Sequence, residues 1–435
     1  MLKMKVQQCV SINEQGHLTI GGCDTVDLAA RYGTPLYVMD ETAIRTALRQ
    51  YKESIDRYYP NGGMVAYASK ACSFKEMYRL VHQESCGADV VSGGELYTAL
   101  QAGIPAEKLY FHGNAKTDAE LRMALECGVG RIVVDNQSEL ARLSEMAAEM
   151  GKSAQIYLRI TPGVDAHTHS FVRTGQIDSK FGVTLENGDA LKAVGTALNT
   201  PNVELKGLHC HIGSQIFEHD PFIYTAQVML GFMAQIRDTY GVVLPELDLG
   251  GGFGIRYKES DEPLAMGEYM RLVSQAALEY AEKLNLPFPY LVIEPGRSVV
   301  APAGITLYTV EHVKHIPDVR TYVSVDGGMA DNPRYILYQA PYTVMAANRA
   351  NEPATETVTV AGRCCESGDM IQEGVSLPAC KRGDILAVLA TGAYNYSMSS
   401  HYNRLPKPAV VMVKEGTSRV VVKAETYEDL CRNDV

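Results

Sequence analysis

Short runs of apolar, β-branched residues alternate with segments of helical periodicity between about Gly63 and Arg297. This alternation is typical of repeated strand–helix units around a parallel sheet. Because eight such units close a (β/α)8 barrel, the predicted fold is an α/β barrel of the TIM type. The eight predicted strands are Met64–Ala68, Asp89–Ser92, Lys108–His112, Arg131–Asp135, Ile156–Ile160, Glu204–Cys210, Glu246–Leu249 and Tyr290–Glu294.

Helices are predicted between these strands, and several follow Ser, Thr or Asp, the residues that cap helix N-termini. Ser138, for example, stands directly before an acidic, helix-favouring run. The predicted helices are Lys75–Glu84, Glu95–Ala102, Thr117–Cys127, Ser138–Met150, Phe222–Tyr240 and Met270–Lys283.

After Ala301 the pattern changes to period-two and fully apolar strands, which predicts a separate C-terminal, mostly-β domain. The N-terminal residues also look strand-like, and we expect them to pack with that domain. The predicted division is therefore N-terminal strands over 1–35, a barrel over 36–302 and a β domain over 303–435. The strands predicted in the β domain are Ile305–Val313, Arg320–Val325, Thr357–Ala361, Ile385–Leu389, Val410–Val413 and Val420–Val422.

Composition narrows the class of function. With 435 residues, 46% hydrophobic and 21% charged, the chain resembles ordinary globular enzymes. A formal net charge of −11 argues against a nucleic-acid or membrane surface, because such surfaces need clustered Lys and Arg. No apolar run follows Lys3 and Lys5, so no signal peptide or transmembrane helix is predicted, and the expected location is cytoplasmic. The ten cysteines form no C-x-x-C pair, and no metal is predicted.

Candidate catalytic residues follow the predicted strands. In barrel enzymes these residues project from the carboxyl ends of the strands, because those loops line the open top of a packed interior. The polar and glycine residues found there are Lys70, Ser92–Glu95, His112–Asn114, Asp135-Asn136, Arg159, His209–His211, Gly250–Gly252 and Glu294–Arg297.

Lys70 follows the first strand, close to Tyr67 and the small residues Ala68 and Ala71. Burial in such a setting can lower the pKa of an amine enough for Schiff-base chemistry. A solvated surface lysine is the alternative, since most lysines are exposed. The position at a strand end favours the chemical role only modestly.

Gly250–Gly252 follows the seventh strand, where barrels often bind phosphate on backbone N–H groups. A Rossmann fingerprint would need glycine in place of Ile255, and a simple tight turn is the other alternative. The site preference of barrels favours phosphate.

His209 and His211 stand two apart on a strand and therefore point to one face. Such a pair can bind zinc, so a metal-dependent amidohydrolase is an alternative from another class of enzyme. A flat imidazole stacked on a cofactor ring fits the neighbouring residues better, and a core histidine is the plain interpretation for at least one of the two.

Glu294 ends the eighth strand after the apolar run Leu291–Ile293, so its carboxylate is expected to be buried and to need a partner. A protonated pyridine nitrogen is such a partner, and the carboxylate would keep that ring cationic as an electron sink. A salt bridge to Arg297 is the alternative.

Six stretches at the strand ends occur together in this order: Tyr67–Ala71, Val91–Leu96, His112–Asn114, Leu208–Gln215, Gly250–Gly254 and Glu294–Arg297. Together they resemble the group-IV, alanine-racemase-like decarboxylases that depend on pyridoxal phosphate. The resemblance spans nearly the whole chain.

Further stretches resemble the branch of that family that converts meso-diaminopimelate to L-lysine and CO2. They are Thr174-Gly175, Ser179–Gly182, Cys365–Asp369 and Tyr394–Ser400. Ornithine and arginine decarboxylases share the barrel motifs and are the nearest alternatives.

The resemblance implies pyridoxal 5'-phosphate on Lys70 and a homodimer with shared active sites. It implies that His211 stacks on the ring and that Glu294 meets the pyridine nitrogen. The residues that it assigns to the cofactor are Lys70, His211, Ser214, Gly251, Gly252, Glu294, Gly296, Arg297 and Tyr394.

For the substrate, the resemblance implies contacts with Arg297, Arg334, Tyr338, Glu366 and Tyr394. It also implies that Cys365, supplied by the partner subunit, donates the proton that completes the reaction, so that Lys70, His211 and Cys365 form the catalytic set. The neighbouring residue is Cys364, and the choice between the two thiols rests on adjacency to Glu366. A barrel that binds the cofactor without catalysis is a further alternative, against which the proton donor and the arginines argue.

Overall fold

The computed structural model describes residues 6–164 and 179–435. Its strands are β1 (Val10–Ile12), β2 (Leu18–Ile20), β3 (Cys23–Asp24), β4 (Leu36–Asp40), β5 (Gly63–Ala68), β6 (Gly87–Val90), β7 (Leu109–Phe111), β8 (Arg131–Val134), β9 (Ala154–Thr161), β10 (Val183–Thr184), β11 (Val203–His209), β12 (Glu246–Asp248), β13 (Tyr290–Ile293), β14 (Gly304–Ile316), β15 (Arg320–Val325), β16 (Val344–Ala346), β17 (Glu356–Ala361), β18 (Met370–Leu377), β19 (Ile385–Leu389), β20 (Ala409–Lys414) and β21 (Thr417–Val422).

Most α-helices of the described residues alternate in sequence with the strands from β5 to β13. They are α1 (Thr25–Tyr32), α2 (Glu41–Tyr58), α3 (Lys75–Gln83), α4 (Gly93–Ala102), α5 (Asp118–Cys127), α6 (Gln137–Glu149), α7 (Asp189–Asn199), α8 (Asp220–Tyr240), α9 (Met266–Lys283), α10 (Arg297–Val300), α11 (Arg334–Tyr338) and α12 (Tyr427–Cys431).

The chain divides into two compact units. We call residues 47–254 and 263–296 the barrel unit. Residues 1–46, 255–262 and 297–435 form the second unit, which we call the β unit. The predicted boundaries at residues 35 and 302 differ from this division mainly in assigning 36–46 and 255–262 to the barrel.

The barrel unit contains a closed parallel barrel. Strands β5 to β9 pair in chain order, β9 pairs with β11, β11 with β12, and β12 with β13. The circle closes because β13 pairs with β5, Leu291 opposite Gly63. Each of the eight predicted strands overlaps one of these strands, so the predicted (β/α)8 fold is confirmed.

Side-chain caps begin the helices that lead away from the barrel strands. Ser92 accepts a hydrogen bond from the N–H of Glu95 at the start of α4, and Thr117 and Glu120 form a reciprocal capping box at α5. The cap of α6 is Asn136, two residues before the predicted Ser138. Each cap satisfies a backbone donor that the helix leaves unpaired.

The β unit is built on a sheet in which β4 lies between β14 and β20. The run Leu36–Asp40 is largely apolar, as in a barrel strand, and all five of its residues are buried. It nevertheless pairs with Gly304–Leu307 of the β unit. Strands β1 to β3 form a separate small sheet. Its residues Leu18 and Ile20 share a buried cluster with Leu307.

Residues 1–35, predicted as strands, also contain helix α1. Other elements without a predicted counterpart are α2, α7, α10, α11, α12, β4, β10, β16 and β18. Among the described residues, no helix is both long and apolar enough to cross a membrane.

Candidate active site

Lys70 lies in a short 3-10 turn, Ser69–Ala71, directly after β5. The hydroxyl of Ser69 donates to Glu95 Oε2 at 2.7 Å, and the N–H of Val91 donates to the same oxygen at 2.8 Å. Glu95 therefore fixes this turn to the loop after β6. The burial expected around Lys70 is found at its two neighbours in the turn, whereas Lys70 itself is exposed.

Glu294 follows β13 and is buried between two imidazoles. Its Oε1 lies 2.6 Å from His112 Nε2, and its Oε2 lies 3.2 Å from His209 Nε2. The three side chains come from the ends of three different barrel strands, and each carboxylate oxygen has its own histidine. Glu294 is buried, as predicted, and both of these partners lie within the barrel unit.

The electrostatics favour an ionised Glu294. Burial raises the pKa of this carboxyl, but the contacts with His112 and His209 outweigh it and hold the pKa well below the usual value. Burial lowers the pKa of His209 to about 3, although Glu294 raises it. His209 is therefore a neutral imidazole at physiological pH, and it stabilises the carboxylate by donating an N–H.

Two further buried carboxyls share this end of the barrel. Asp89 Oδ1 lies 3.8 Å from His112 Nε2, and Asp248 Oδ1 accepts the N–H of Gly250 at 2.8 Å. Burial, followed by the charge of Glu294, raises the pKa of Asp248 well above its usual value. Burial raises the pKa of Asp89 to about 6. Of the three acids, Glu294 is held most strongly in the ionised form.

His209 and His211 have different partners. His209 contacts Glu294, whereas His211 Nδ1 accepts the N–H of Gly251 at 3.3 Å. Within the described residues, four side chains each place one potential metal-ligand atom within 4.8 Å of the others. They are His112, His209, Asp248 and Glu294.

The glycine loop after β12 packs tightly against its neighbours. Gly250 and Gly252 have φ angles of 67° and 111°, which favour glycine. A Cβ at Gly251 would lie 2.1 Å from the carbonyl oxygen of Glu294, and one at Gly296 would lie 2.9 Å from Ala68 Cβ. Side chains are therefore excluded at Gly251 and Gly296, where neighbouring segments of the chain pack closely.

This loop is joined to the loop after β11. The N–H of Ile216 donates to the carbonyl of Gly252 at 3.0 Å, and the N–H of Gly254 donates to the carbonyl of Ile216 at 2.9 Å. Since His211 and Ser214 lie in the loop after β11, the structure brings them together with Gly251 and Gly252.

In the β unit, two buried arginines converge on one tyrosine. Arg297 Nη1 donates to Tyr257 Oη at 2.7 Å, and Arg334 Nη1 donates to the same oxygen at 2.9 Å. Arg334 also donates to Tyr342 Oη at 3.0 Å. The ring of Tyr394 lies 4.8 Å from the guanidinium of Arg297 and 5.8 Å from that of Arg334. Three predicted site residues, Arg297, Arg334 and Tyr394, are thus brought together.

The structure separates the two adjacent thiols. Cys364 is buried, its N–H donates to Asp369 Oδ2 at 2.6 Å, and burial raises the pKa of its thiol to about 11. Cys365 is exposed, and its N–H donates to Asn403 Oδ1 at 2.7 Å. Only Cys365 of the pair is therefore accessible to an external group.

The remaining predicted residues lie elsewhere in the β unit or beyond the described residues. Tyr338 ends α11 and is half-buried, and Glu366 is exposed beside Cys365. Thr174-Gly175 lies outside the described residues.

Two functional features were missed from the sequence. The pairing of His112 with Glu294 joins strands far apart in the chain, although both residues had been identified separately at strand ends. Tyr257 follows the glycine run closely, and no periodicity distinguishes it from the other tyrosines of the chain.

The chain is similar to known proteins over most of its length. Residues 41–301 match the family model described as "Pyridoxal-dependent decarboxylase, pyridoxal binding domain". A diaminopimelate decarboxylase from Bacillus subtilis is 51% identical over 97% of this chain and 96% of its own length. Another, from Bacillus methanolicus, is 49% identical over 95% of both chains.

A solved structure is similar over nearly the whole chain. The diaminopimelate decarboxylase of M. jannaschii, crystallised with L-lysine, has a TM-score of 0.92 and 36% identity, covering 99% of this chain and 98% of the other. The chain therefore belongs to the pyridoxal-dependent decarboxylases and, within them, to the diaminopimelate decarboxylases.

Proposed function

We propose that this chain decarboxylates meso-diaminopimelate to L-lysine and CO2, a step of lysine biosynthesis, with pyridoxal 5'-phosphate as cofactor. Membership of the family supports the cofactor and the reaction. The structural observation that carries the proposal is the buried carboxylate of Glu294, held between His112 and His209 at the catalytic end of the barrel. Ornithine and arginine have no carboxylate far from the reacting carbon, so an enzyme that decarboxylates them needs no cationic partner there. This chain, in contrast, buries Arg297 and Arg334 side by side.

The described residues fit pyridoxal phosphate. Its aldehyde needs an accessible primary amine, and Lys70 is exposed. Its protonated ring nitrogen needs a carboxylate, which Glu294 supplies. Its phosphate needs backbone N–H groups, and the proposed phosphate site is the glycine loop after β12, which is held close to the loop after β11. When bound, the cofactor supplies an electron sink for the electron pair left by departing CO2.

Each residue has a distinct task in binding the cofactor. Lys70 provides the amine that bonds to it, and Glu294 keeps the proton on the ring nitrogen. Burial and the charges of Lys70 and Arg159 hold the pKa of His211 well below its usual value, so this ring is neutral and suited to stacking. The full set proposed for the cofactor is Lys70, His211, Ser214, Gly251, Gly252, Glu294, Gly296, Arg297 and Tyr394.

For the substrate we propose Arg297, Arg334, Tyr338, Glu366 and Tyr394. The substrate has two ammonium and two carboxylate groups. A guanidinium binds a carboxylate with two parallel hydrogen bonds, and a carboxylate such as Glu366 accepts from an ammonium. We also propose that the predicted barrel region 36–302 supplies most cofactor contacts and region 303–435 most substrate contacts.

We propose Cys365 as the proton donor, acting in the active site of a partner subunit in a homodimer. The chemistry requires a proton at the carbon that loses CO2, and an accessible thiol can deliver it. The exposure of Cys365 and the burial of Cys364 support this choice.

We propose a cytoplasmic location for the enzyme. All ten cysteines of the chain are unpaired, which suits a reducing compartment.

A substrate panel tests the function. CO2 release from the holoenzyme is measured with meso-diaminopimelate, ornithine, arginine and lysine, with the Lys70→Ala variant as control. We expect release from meso-diaminopimelate above all others and none from the variant. Faster release from ornithine or arginine would contradict the proposal.

A further inference from the structure

Tyr257 holds an unusual position among the buried residues of the β unit. One phenolic oxygen accepts hydrogen bonds from Arg297 and Arg334, at 2.7 Å and 2.9 Å. The two guanidinium groups also lie 5.8 Å and 5.2 Å from the centre of the Tyr257 ring. Two buried cations are thus held against a single side chain.

A neutral phenol can accept from both arginines but does not balance their charges. Its oxygen has two acceptor sites and one hydrogen to donate, and the two arginines occupy both acceptor sites. Two positive charges beside one buried oxygen repel each other, and a negative charge on that oxygen would relieve the repulsion. A phenolate carries such a charge and keeps room for both donors.

Two further tyrosines lie beside the two guanidinium groups. The Tyr342 ring lies edge-on to the Tyr257 ring, with 5.5 Å between the two ring centres. The Tyr342 hydroxyl accepts hydrogen bonds from Arg334 at 3.0 Å and from Asn395 Nδ2 at 3.3 Å. The ring of Tyr394 lies beside both guanidinium groups. Burial lowers the pKa of Arg334, but Tyr257, Tyr342 and Tyr394 outweigh it and raise the pKa.

We propose that Tyr257 is an ionised positioning residue that fixes the spacing of Arg297 and Arg334 so that both guanidinium groups are ready for a substrate carboxylate. The inference rests on the proposed substrate role of the two arginines. Tyr257 touches the arginines rather than the reacting atoms, so it acts through them.

The direction of ionisation agrees with the geometry. Burial raises the pKa of Tyr257, but the charges of Arg297 and Arg334 outweigh it and hold the pKa below the usual value. For Tyr342, burial outweighs Arg334, and its pKa is raised. The two neighbouring tyrosines therefore differ in the sign of their pKa shifts, which makes Tyr342 a matched control.

The test is a spectroscopic pH titration of the holoenzyme. The chain has 25 tyrosines and no tryptophan, so the near-ultraviolet phenolate band is free of indole absorbance. Wild type should show one early-ionising tyrosine, which Tyr257→Phe lacks and Tyr342→Phe retains. The exposed Tyr427→Phe serves as a surface control. Identical titrations of wild type and Tyr257→Phe would overturn the proposal.

A second variant keeps the test decisive if Tyr257→Phe folds poorly. Arg334→Gln retains Tyr257 but removes one of its two cations, so the early ionisation should move to higher pH. An unmoved transition in Arg334→Gln would overturn the proposal.

Kinetics provide the functional readout. In Tyr257→Phe the arginines lose a charge-assisted acceptor, so KM for meso-diaminopimelate should rise roughly tenfold or more, with a smaller change in kcat. An unchanged KM would contradict the positioning role. Because the titration needs no substrate, it distinguishes failure of this inference from failure of the proposed decarboxylation.

Discussion

Each unit of the chain holds a buried acid between two basic side chains, but the surroundings differ. In the barrel unit, Glu294 lies between two imidazoles and beside Asp89 and Asp248, whose pKa values are raised. In the β unit, Tyr257 lies between two guanidinium groups, and its neighbours are tyrosines. In the first environment Glu294 is the acid whose ionised form is favoured, whereas the second environment holds two positive guanidinium groups.

This difference indicates how the tasks of the proposed reaction would be divided between the barrel unit and the β unit. Negative charge at Glu294 suits a protonated ring nitrogen, whereas positive charge at Arg297 and Arg334 suits the carboxylates of the substrate. The exposed thiol of Cys365 belongs to the same unit as the arginines. Electron withdrawal would thus depend on the barrel unit, and substrate recognition and proton delivery on the β unit.

The largest effect is expected at Cys365. General acid catalysis contributes about 10²–10⁴-fold, so Cys365→Ala should lose activity on that scale while Cys364→Ala, at a buried thiol, loses far less. Steady-state kinetics of both variants measure the contrast. Equal losses would mean that the division between the two thiols is wrong.

Mixed dimers test the shared site. Inactive Lys70→Ala and Cys365→Ala subunits should regain activity when mixed, because one of the two sites then combines an intact Lys70 with an intact Cys365. If subunit exchange is verified and activity stays absent, Cys365 does not act across a subunit interface.

A large effect is also expected at Glu294. Glu294→Gln should retain cofactor binding but lose turnover by roughly ten- to hundredfold, because a neutral amide no longer stabilises the ring proton through a charge-assisted bond. Asp248→Asn is the matched control, since burial already favours the protonated, neutral form of Asp248. Single-turnover rates compare the two, and a milder loss in Glu294→Gln would reverse the assignment.

A smaller effect is expected at His209. His209→Leu removes one hydrogen-bond donor to Glu294, so the pKa of Glu294 should rise towards its usual value. Because the ionised form is then lost at higher pH, the acidic limb of the rate profile should move to higher pH. An unmoved limb would show that His209 does not tune Glu294.

The smallest effect is expected in stability. The folded-state pKa of Asp89 is raised to about 6. The stabilisation of the folded state by protonated Asp89 is therefore fully present below the unfolded-state pKa, and it is lost as the pH rises through about 6. Asp89→Asn cannot ionise, so its stability relative to wild type should increase between about pH 4 and pH 7, by at most about 3 kcal/mol. Denaturant unfolding at both pH values measures the change, and a constant difference would contradict the raised pKa.

The barrel was predictable because its signal is local. Each strand is a short apolar run, and its carboxyl end shows which residues reach the catalytic face. Glu294 and Gly251 could therefore be identified from their places after strands. The strand Leu36–Asp40 has the same local pattern, and nothing local shows that it pairs with Gly304–Leu307 in the β unit.

Interactions between distant segments were beyond the sequence patterns. His112 and His209 each follow a strand, but their common contact with Glu294 arises only when the barrel closes. Tyr257 lies outside the named elements, and it meets Arg297 and Arg334, the first residues of α10 and α11, from a distant part of the chain. Periodicity identifies which residues face a core, whereas the partners of a buried charge depend on the tertiary structure.

The central claim is that Lys70 bonds covalently to pyridoxal phosphate at the catalytic end of the barrel. The direct measurement is borohydride reduction of the holoenzyme followed by peptide mapping by mass spectrometry. The account predicts the mass of the reduced cofactor on the peptide that contains Lys70, and its loss in Lys70→Ala. A label on another lysine of the wild-type chain, with Lys70 unmodified, would contradict it.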